Sequence, residues 1–410
     1  MTSPWLRYAV VVALISCDGT LGVLVPPYLK DQGYDFAAIG FLVALTGVAA
    51  LASRVPAGAL YRRDRSRYIL AGALVGEGLV AWFFPILEGP VAIGIAQAVI
   101  GFSFGVAGTT NLAMLMDLVP AGGSRHRAMG YYAACLSAGH MAGSLFGGLG
   151  ADRFGYEPGF KMAAGFAALA LVFLLVDRTS VLPRPNDVSQ VSKPSLPLVV
   201  RLKALTEPRV VILSLVALLL NFFQGVLMTF FPLFALEAGL TLSELGIARS
   251  AHSLVNTITR PIAGPAITRL GVERVCFGGL AILSAVTAVM PLVPYFWPML
   301  IAFVLTGLLR SLVLVANTIG IADLDETRIS RGMASSVYNS AKDVGNLISP
   351  TLCGALAAAV GLGAMLVSVP IGAAVVVFGV VALNTSRAHP IGTAEADATA
   401  RSTSEKPGRS

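Results

Sequence analysis

Charge is what this sequence has least of. Of its 410 residues only 12% are Asp, Glu, Lys or Arg, whereas 56% are hydrophobic. That balance excludes a soluble globular chain, because too little polar surface is left to cover the apolar remainder. Cysteine is scarce as well: Cys17, Cys135, Cys276 and Cys353 lie far apart without metal-ligand spacing and read as small packing residues. The sequence contains no nucleotide-binding glycine loop, no metal constellation and no plausible nucleophile triad. It is not expected to be an enzyme, to carry a cofactor or metal, or to draw directly on ATP.

Hydrophobic runs, in contrast, fill most of the chain, and mean hydropathy is +0.78. A spanning helix needs roughly 20 apolar residues, and about twelve such runs are present. The first six cover about 7–29, 38–60, 68–87, 90–117, 127–150 and 160–177. The second six cover about 209–235, 243–268, 273–293, 296–322, 331–358 and 364–384. Runs of this length mean helices, since backbone amides in hydrocarbon are satisfied within their own segment. The first run has no small-residue cleavage site and continues through Pro26-Pro27, so it reads as a retained span rather than a signal peptide.

A net charge of +7 invites a nucleic-acid reading, but the placement of the cations points to topology instead. With the N-terminus in the cytoplasm, the inner side receives Arg7, Arg62, Arg63, Arg65, Arg67, Arg125 and Arg127. It also receives the basic residues between 178 and 209, then Arg269, Arg274, Arg328, Arg331 and those of the C-terminal tail. The outer side receives only Lys30, Arg153 and Lys161. This positive-inside bias predicts an inner cell-membrane protein with both termini cytoplasmic, and no nucleic-acid partner.

The stretch 178–208 interrupts the hydrophobic pattern with five prolines among Ser, Lys and Arg and reads as a cytoplasmic linker. It separates a first unit over 1–177 from a second over 209–385, and residues 386–410 read as a small, polar, disordered cytoplasmic tail. The two units align without gaps at an offset of 206. Asp18-Gly19 falls on Gln224-Gly225, Pro26 on Pro232, Gly33 on Gly239 and Gly40 on Gly246. Arg54-x-x-Ala-Gly58 falls on Arg260-x-x-Ala-Gly264, Gly101 on Gly307, Asn111 on Asn317 and Gly139 on Gly345.

Six helices written twice in one orientation resemble the major facilitator superfamily of secondary transporters. The resemblance covers residues 5–385 and implies an all-α membrane fold: two six-helix bundles that rock about a midplane site. Between the second and third spans that family carries a glycine-containing basic loop that acts as a gate. Here it reads Gly58-Ala-Leu-Tyr-Arg62-Arg63-Asp64-Arg65, with Arg62 where an Asp is expected. The second copy is Gly264-Pro-Ala-Ile-Thr-Arg269-Leu-Gly271. The loop reads either as a charged latch toward the other bundle or as a plain positive-inside loop. In the fifth span Gly139-x-x-x-Gly143-Ser144-x-x-Gly147-Gly148 looks like the family's antiporter motif with Ser144 in place of Pro. Its small residues are expected to let helices of opposite bundles approach; ordinary helix packing is the other reading. Gln97 stands where many proton-coupled members have an Arg, which argues against assuming standard coupling.

Ionisable groups near the bilayer centre are costly and need a reason. By span arithmetic these are Asp18, Glu77, His140, Arg310 and the Lys342-Asp343 pair. Asp18 reads as a proton carrier or a static ion pair. Glu77, on a span the resemblance places at the periphery, reads as a paired structural carboxylate or a further proton site. His140 reads as a proton relay or a hydrogen-bonded structural residue. Arg310 is an anchor for a carboxylate or phosphate on the solute, or the partner of Asp343. Around them the expected lining adds Asn111, Asn221, Phe222, Phe223, Gln224, Asn317, Tyr338, Asn339 and Asn346.

The expected function is proton-coupled efflux of a small drug or metabolite, anionic or zwitterionic, by a chain that works as a monomer. Proton-coupled uptake of an organic acid or sugar is the alternative within transport. A transporter-like membrane sensor or scaffold is the alternative outside it.

Overall fold

The computed structural model describes residues 5–62, 64–117, 125–177, 208–323 and 331–387. Arg63, all but the last residue of the expected linker, and the expected tail beyond Arg387 lie outside these residues. The first half consists of α1 (Trp5–Asp31), α2 (Phe36–Ala59), α3 (Ser66–Phe83), α4 (Pro90–Asp117), α5 (Arg125–Phe154) and α6 (Tyr156–Val176). The second consists of α7 (Pro208–Thr229), α8 (Phe231–Glu237), α9 (Leu242–Leu270), α10 (Val272–Val289), α11 (Phe296–Ala322), α12 (Arg331–Val360) and α13 (Leu362–Arg387). α7 and α8 form one crossing that is interrupted just before Pro232, so each half makes six crossings. Among the described residues nine stretches are long and apolar enough to span a membrane. The crossings outside that set are α5 and α9, which are rich in small and polar residues, and α13, whose apolar stretch covers Leu362–Val376.

The repeat legible in the sequence is a repeat of helix crossings. Gly101 of α4 lies so close to α2 that a Cβ would run into the Thr46 carbonyl, and Gly307 of α11 meets the His252 carbonyl of α9 in the same way. Thr46 and His252 are themselves one repeat apart. Gly139 of α5 packs on α1 at Val12, and its mate Gly345 of α12 packs on α7 at Leu218. Between the halves, Gly40 of α2 meets Pro350 and Gly354 of α12, while Gly246 of α9 meets Ser144 and Gly148 of α5. Close backbone approach of this kind is how membrane helices associate when lipid removes the hydrophobic incentive.

The turns repeat as well. Gly33 (φ 85°) and Gly239 (φ 90°) adopt the left-handed conformation that ends α1 and α8. The Tyr34 amide then donates to the Leu29 carbonyl at 3.1 Å, and the Leu240 amide to Ala235 at 3.0 Å. The next helices start on matching caps: Asp35 accepts from the Ala38 amide at 2.7 Å, and Thr241 forms a capping box with Glu244.

Both described ends lie on one face, termed here the terminal face. The two faces differ in how the halves meet. Toward the opposite face a single core runs through both, joining Leu21, Leu24 and Phe160 to Phe230, Phe231, Phe303 and Cys353. Toward the terminal face the cores separate. Leu14, Leu70, Met114 and Leu174 pack within the first half, and Val216, Leu220, Leu280 and Val313 within the second. The molecule is therefore closed at one face and cleft at the other.

These crossings predict a specific sensitivity. Gly101→Val should lose most folded, monodisperse protein on size exclusion in detergent, since overpacking costs about 1–3 kcal/mol or more. Gly72→Ala, at a site with open space around it, should elute like the parent.

Candidate functional site

Between the halves lies a cavity of about 510 Å³. Its charged wall is divided by half. The first contributes Asp18 of α1, Gln97 of α4 and His140 of α5. The second contributes Arg249, His252, Asn256 and Arg260 of α9, with Arg310 of α11. Three guanidinium groups thus face one carboxylate.

Asp18 and His140 reach one another because Gly143 and Gly147 let α5 lie against α1 at Ser16 and Thr20. His140 Nδ1 stands 3.8 Å from Asp18 Oδ2, and both side chains are partly open to the cavity. A proton bound to one is within a small displacement of the other. Arg310 is held by α7: Nη1 donates to the Leu220 carbonyl at 2.9 Å and Nη2 to Asn221 Oδ1 at 3.2 Å. His252 is buried with Nδ1 3.2 Å from both the Phe303 carbonyl and Thr306 Oγ1. Its Nε2 has no hydrogen-bond partner among the described residues. Arg260 is tied only lightly, through Nε to Asn256 Oδ1 at 3.3 Å, and is the cation best placed to turn toward a solute.

Of the residues expected from the sequence, the structure brings Asp18, His140, Arg310, Gln224, Asn346 and Ser144 onto the cavity wall. It sets others apart. Asp343 pairs with Arg54 across the halves at 3.3 Å, so Arg310 does not take it as a partner. Lys342 lies over the Tyr338 ring, and the Tyr338 hydroxyl lies 3.5 Å from Thr318 Oγ1. Asn339 is exposed. Phe223 is buried beside a gap barely large enough for one water, next to His252 and Arg310. Asn111 and Asn317 are buried inside their own halves, Asn317 donating to the Leu213 carbonyl at 3.0 Å. Glu77 is fully buried beside the Cys17 thiol, away from the cavity wall.

The basic loop makes its described contacts within its own half. Arg62 pairs with Asp64 at 3.7 Å, Tyr61 donates to Asp117 at 2.7 Å, and Arg67 donates to the Leu175 carbonyl at 2.6 Å. Gly58 and Gly264 stand near the terminal-face ends of α2 and α9; Arg269 is exposed and Gly271 (φ 85°) ends α9. The glycines of the α5 motif also divide. Gly139, Gly143 and Gly147 approach α1 of the same half, and Gly148, with the Ser144 carbonyl, meets the other half. The expectation that the whole motif joins opposite bundles is corrected accordingly: its period of four puts most of it on the α1 side.

Sequence reasoning passed over Arg249, His252, Asn256 and Arg260. Their spacing of three, four and four residues places them on one face of a helix, and that stripe of basic and amide side chains was the available signal.

Helical crossings around a polar central cavity, closed at one face, are the form of a membrane transporter. The family model of the Major Facilitator Superfamily matches residues 8–248 and 213–407. The chain belongs to that superfamily and is a multi-pass membrane protein. It is 26% identical over 327 residues to the Multidrug resistance protein MdtG of Salmonella typhi, covering 77% of this chain and 78% of that one. Its fold is similar to that of the nucleoside transporter NupG (TM-score 0.77, 13% identity, 93% of this chain and 99% of that one). It is also similar to a bacterial homolog of the human lysosomal transporter Spinster in an inward-facing, occupied conformation (TM-score 0.73, 16% identity, 92% and 95% covered).

Glu77 and the cavity groups should separate on substitution. Glu77→Gln, which keeps shape without charge, should leave the melting temperature of purified protein close to the parent. Glu77→Lys should abolish folding, since an unpaired buried ion costs several kcal/mol.

Proposed function

We propose that this chain is a secondary active transporter that exports a small organic solute bearing an anionic group in exchange for protons. The observation that carries the reading is the divided charge of the cavity, with Asp18 and His140 on one wall and Arg260 and Arg310 on the other. An anionic group about 4 Å from a guanidinium gains on the order of 4 kcal/mol at an effective dielectric near 20. A solute with both signs of charge spans the two walls. A proton arriving at Asp18 removes the carboxylate that holds the solute's cationic group, so proton and solute compete for one cavity.

Direction rests on topology. The positive-inside bias places the termini in the cytoplasm, which makes the cleft terminal face the cytoplasmic one and the inner membrane of the cell the setting. A cavity open to that side suits loading from within, and the relative named a multidrug resistance protein supports export. Coupling in this reading lies with Asp18 and His140, because the wall position taken by Arg in many proton-coupled members is Gln97.

The test compares intracellular accumulation of anionic, zwitterionic and cationic compounds in cells carrying the parent or a variant. Zwitterionic compounds should be kept low by the parent. Arg260→Ala and Arg310→Met should raise the half-saturating concentration about 10- to 100-fold, the loss of a charge-assisted hydrogen bond. Asp18→Asn should abolish efflux against a gradient while leaving downhill exchange. Equal transport of cations by all variants would defeat the reading, and depletion of the compound from the medium by the parent would establish uptake instead.

A further inference from the structure

Two prolines one repeat apart, Pro26 in α1 and Pro232 in α8, leave a mark on the backbone. A proline has no amide hydrogen for the carbonyl four residues before it. Pro26 therefore frees the Gly22 carbonyl and Pro232 frees that of Met228, again one repeat apart. In a bilayer interior a freed carbonyl needs another donor. The structure supplies both from a single side chain: Arg249 Nη1 donates to Gly22 O at 2.7 Å and to Met228 O at 3.3 Å. Gly22 is fitted to this group, since a Cβ there would stand 3.1 Å from Arg249 Nη2.

Arg249 belongs to the second half, as does Met228, whereas Gly22 belongs to the first. It lies one turn from Gly246, where α9 crosses α5 between the halves. We infer that Arg249 is a positioning residue that clamps the opposite face shut by bridging the carbonyls freed by Pro26 and Pro232. When the halves part at that face, Arg249 keeps Met228 and must release Gly22. Neighbouring contacts across the same seam are Ser250 to the Met141 carbonyl at 2.8 Å and Ser243 to Asp152 at 2.6 Å. Unlike these, the clamp is a cation, and Asp18, one turn before Gly22 on α1, lines the same cavity as Arg249. Arg249 is thus tied across the halves, whereas Arg260 and Arg310 are bonded within the second half alone, and it places the seam within reach of events at Asp18.

Spin labels at Gln32→Cys and Ala238→Cys, exposed positions of the two halves at the opposite face, report the seam by distance in nanodiscs without solute. Cys135, half-buried, is replaced by Ala. The parent should give one dominant short distance. Arg249→Met should add a longer one, raising the open-to-closed ratio about tenfold or more, as expected for loss of hydrogen bonds to a charged donor. Arg249→Lys, which keeps the charge without the fork, should fall between and serves as the readout if Arg249→Met does not fold. With Pro26→Ala and Pro232→Ala together, both carbonyls regain helical donors, and Arg249→Met should then shift the ratio far less. An unchanged distance in folded Arg249→Met or Arg249→Lys would overturn the clamp. An equal shift in both backgrounds would overturn the carbonyl route and leave only the charge of Asp18. The readout involves no solute, so its failure leaves the export reading standing.

Discussion

Inside a bilayer every backbone carbonyl and every charge must find its partner within the protein, and the rest of this structure follows from how that demand is met. Regular helices meet it for most of the chain. At two of the prolines that interrupt this, Pro26 and Pro232, a side chain from the neighbouring helix substitutes, and it bridges both halves. Where charge is buried without need of solvent it is paired locally, as Arg7 of α1 with Asp177 at the end of α6. The charges left over, Asp18 and the guanidinium groups of Arg260 and Arg310, are gathered on one cavity. Concentrating ionisable groups at a wet central site keeps them out of lipid and available to a solute.

The distribution of apolar packing sets what can move. A single core joins the halves toward one face, and separate cores hold each half together toward the other. Each half can then stay intact while the contact between them changes. The seam is built from two equivalent pairs, α2 with α12 and α5 with α9, each made by a glycine against a small residue or Pro350. Small-residue contacts carry little side-chain interlock, so they suit surfaces that part and rejoin. Across the cleft toward the terminal face the halves are linked by the Arg54–Asp343 pair, which is partly exposed and correspondingly weak.

Most of the fold was legible in the sequence because its two signals, long apolar runs and the offset of 206, are direct consequences of spanning and repetition. Pro26 with Pro232, Gly33 with Gly239 and Gly40 with Gly246 each do in structure the same job in both halves. The cavity was less legible. Asp18, His140 and Arg310 stand out as isolated charges in apolar runs. Arg249 and Arg260 were hidden although 243–268 reads as a span, because hydropathy averages away which face a charge takes. Asn111 and Asn317 misled for the opposite reason: both amides sit on spans expected to line the cavity, yet close helix packing turns them into their own halves. Asp343 found Arg54 rather than Arg310 because the contact is between α12 and α2, a crossing of the two halves that no spacing along one helix reveals.

In the proposed mechanism one proton at Asp18 competes with the solute's cationic group for the divided cavity. The most direct measurement follows proton release from purified protein in weakly buffered detergent as a zwitterionic solute is added, its cationic group displacing the proton from Asp18. The parent should release protons on binding, and Asp18→Asn, which still binds, should release none. Release of the same number of protons by both proteins would contradict it.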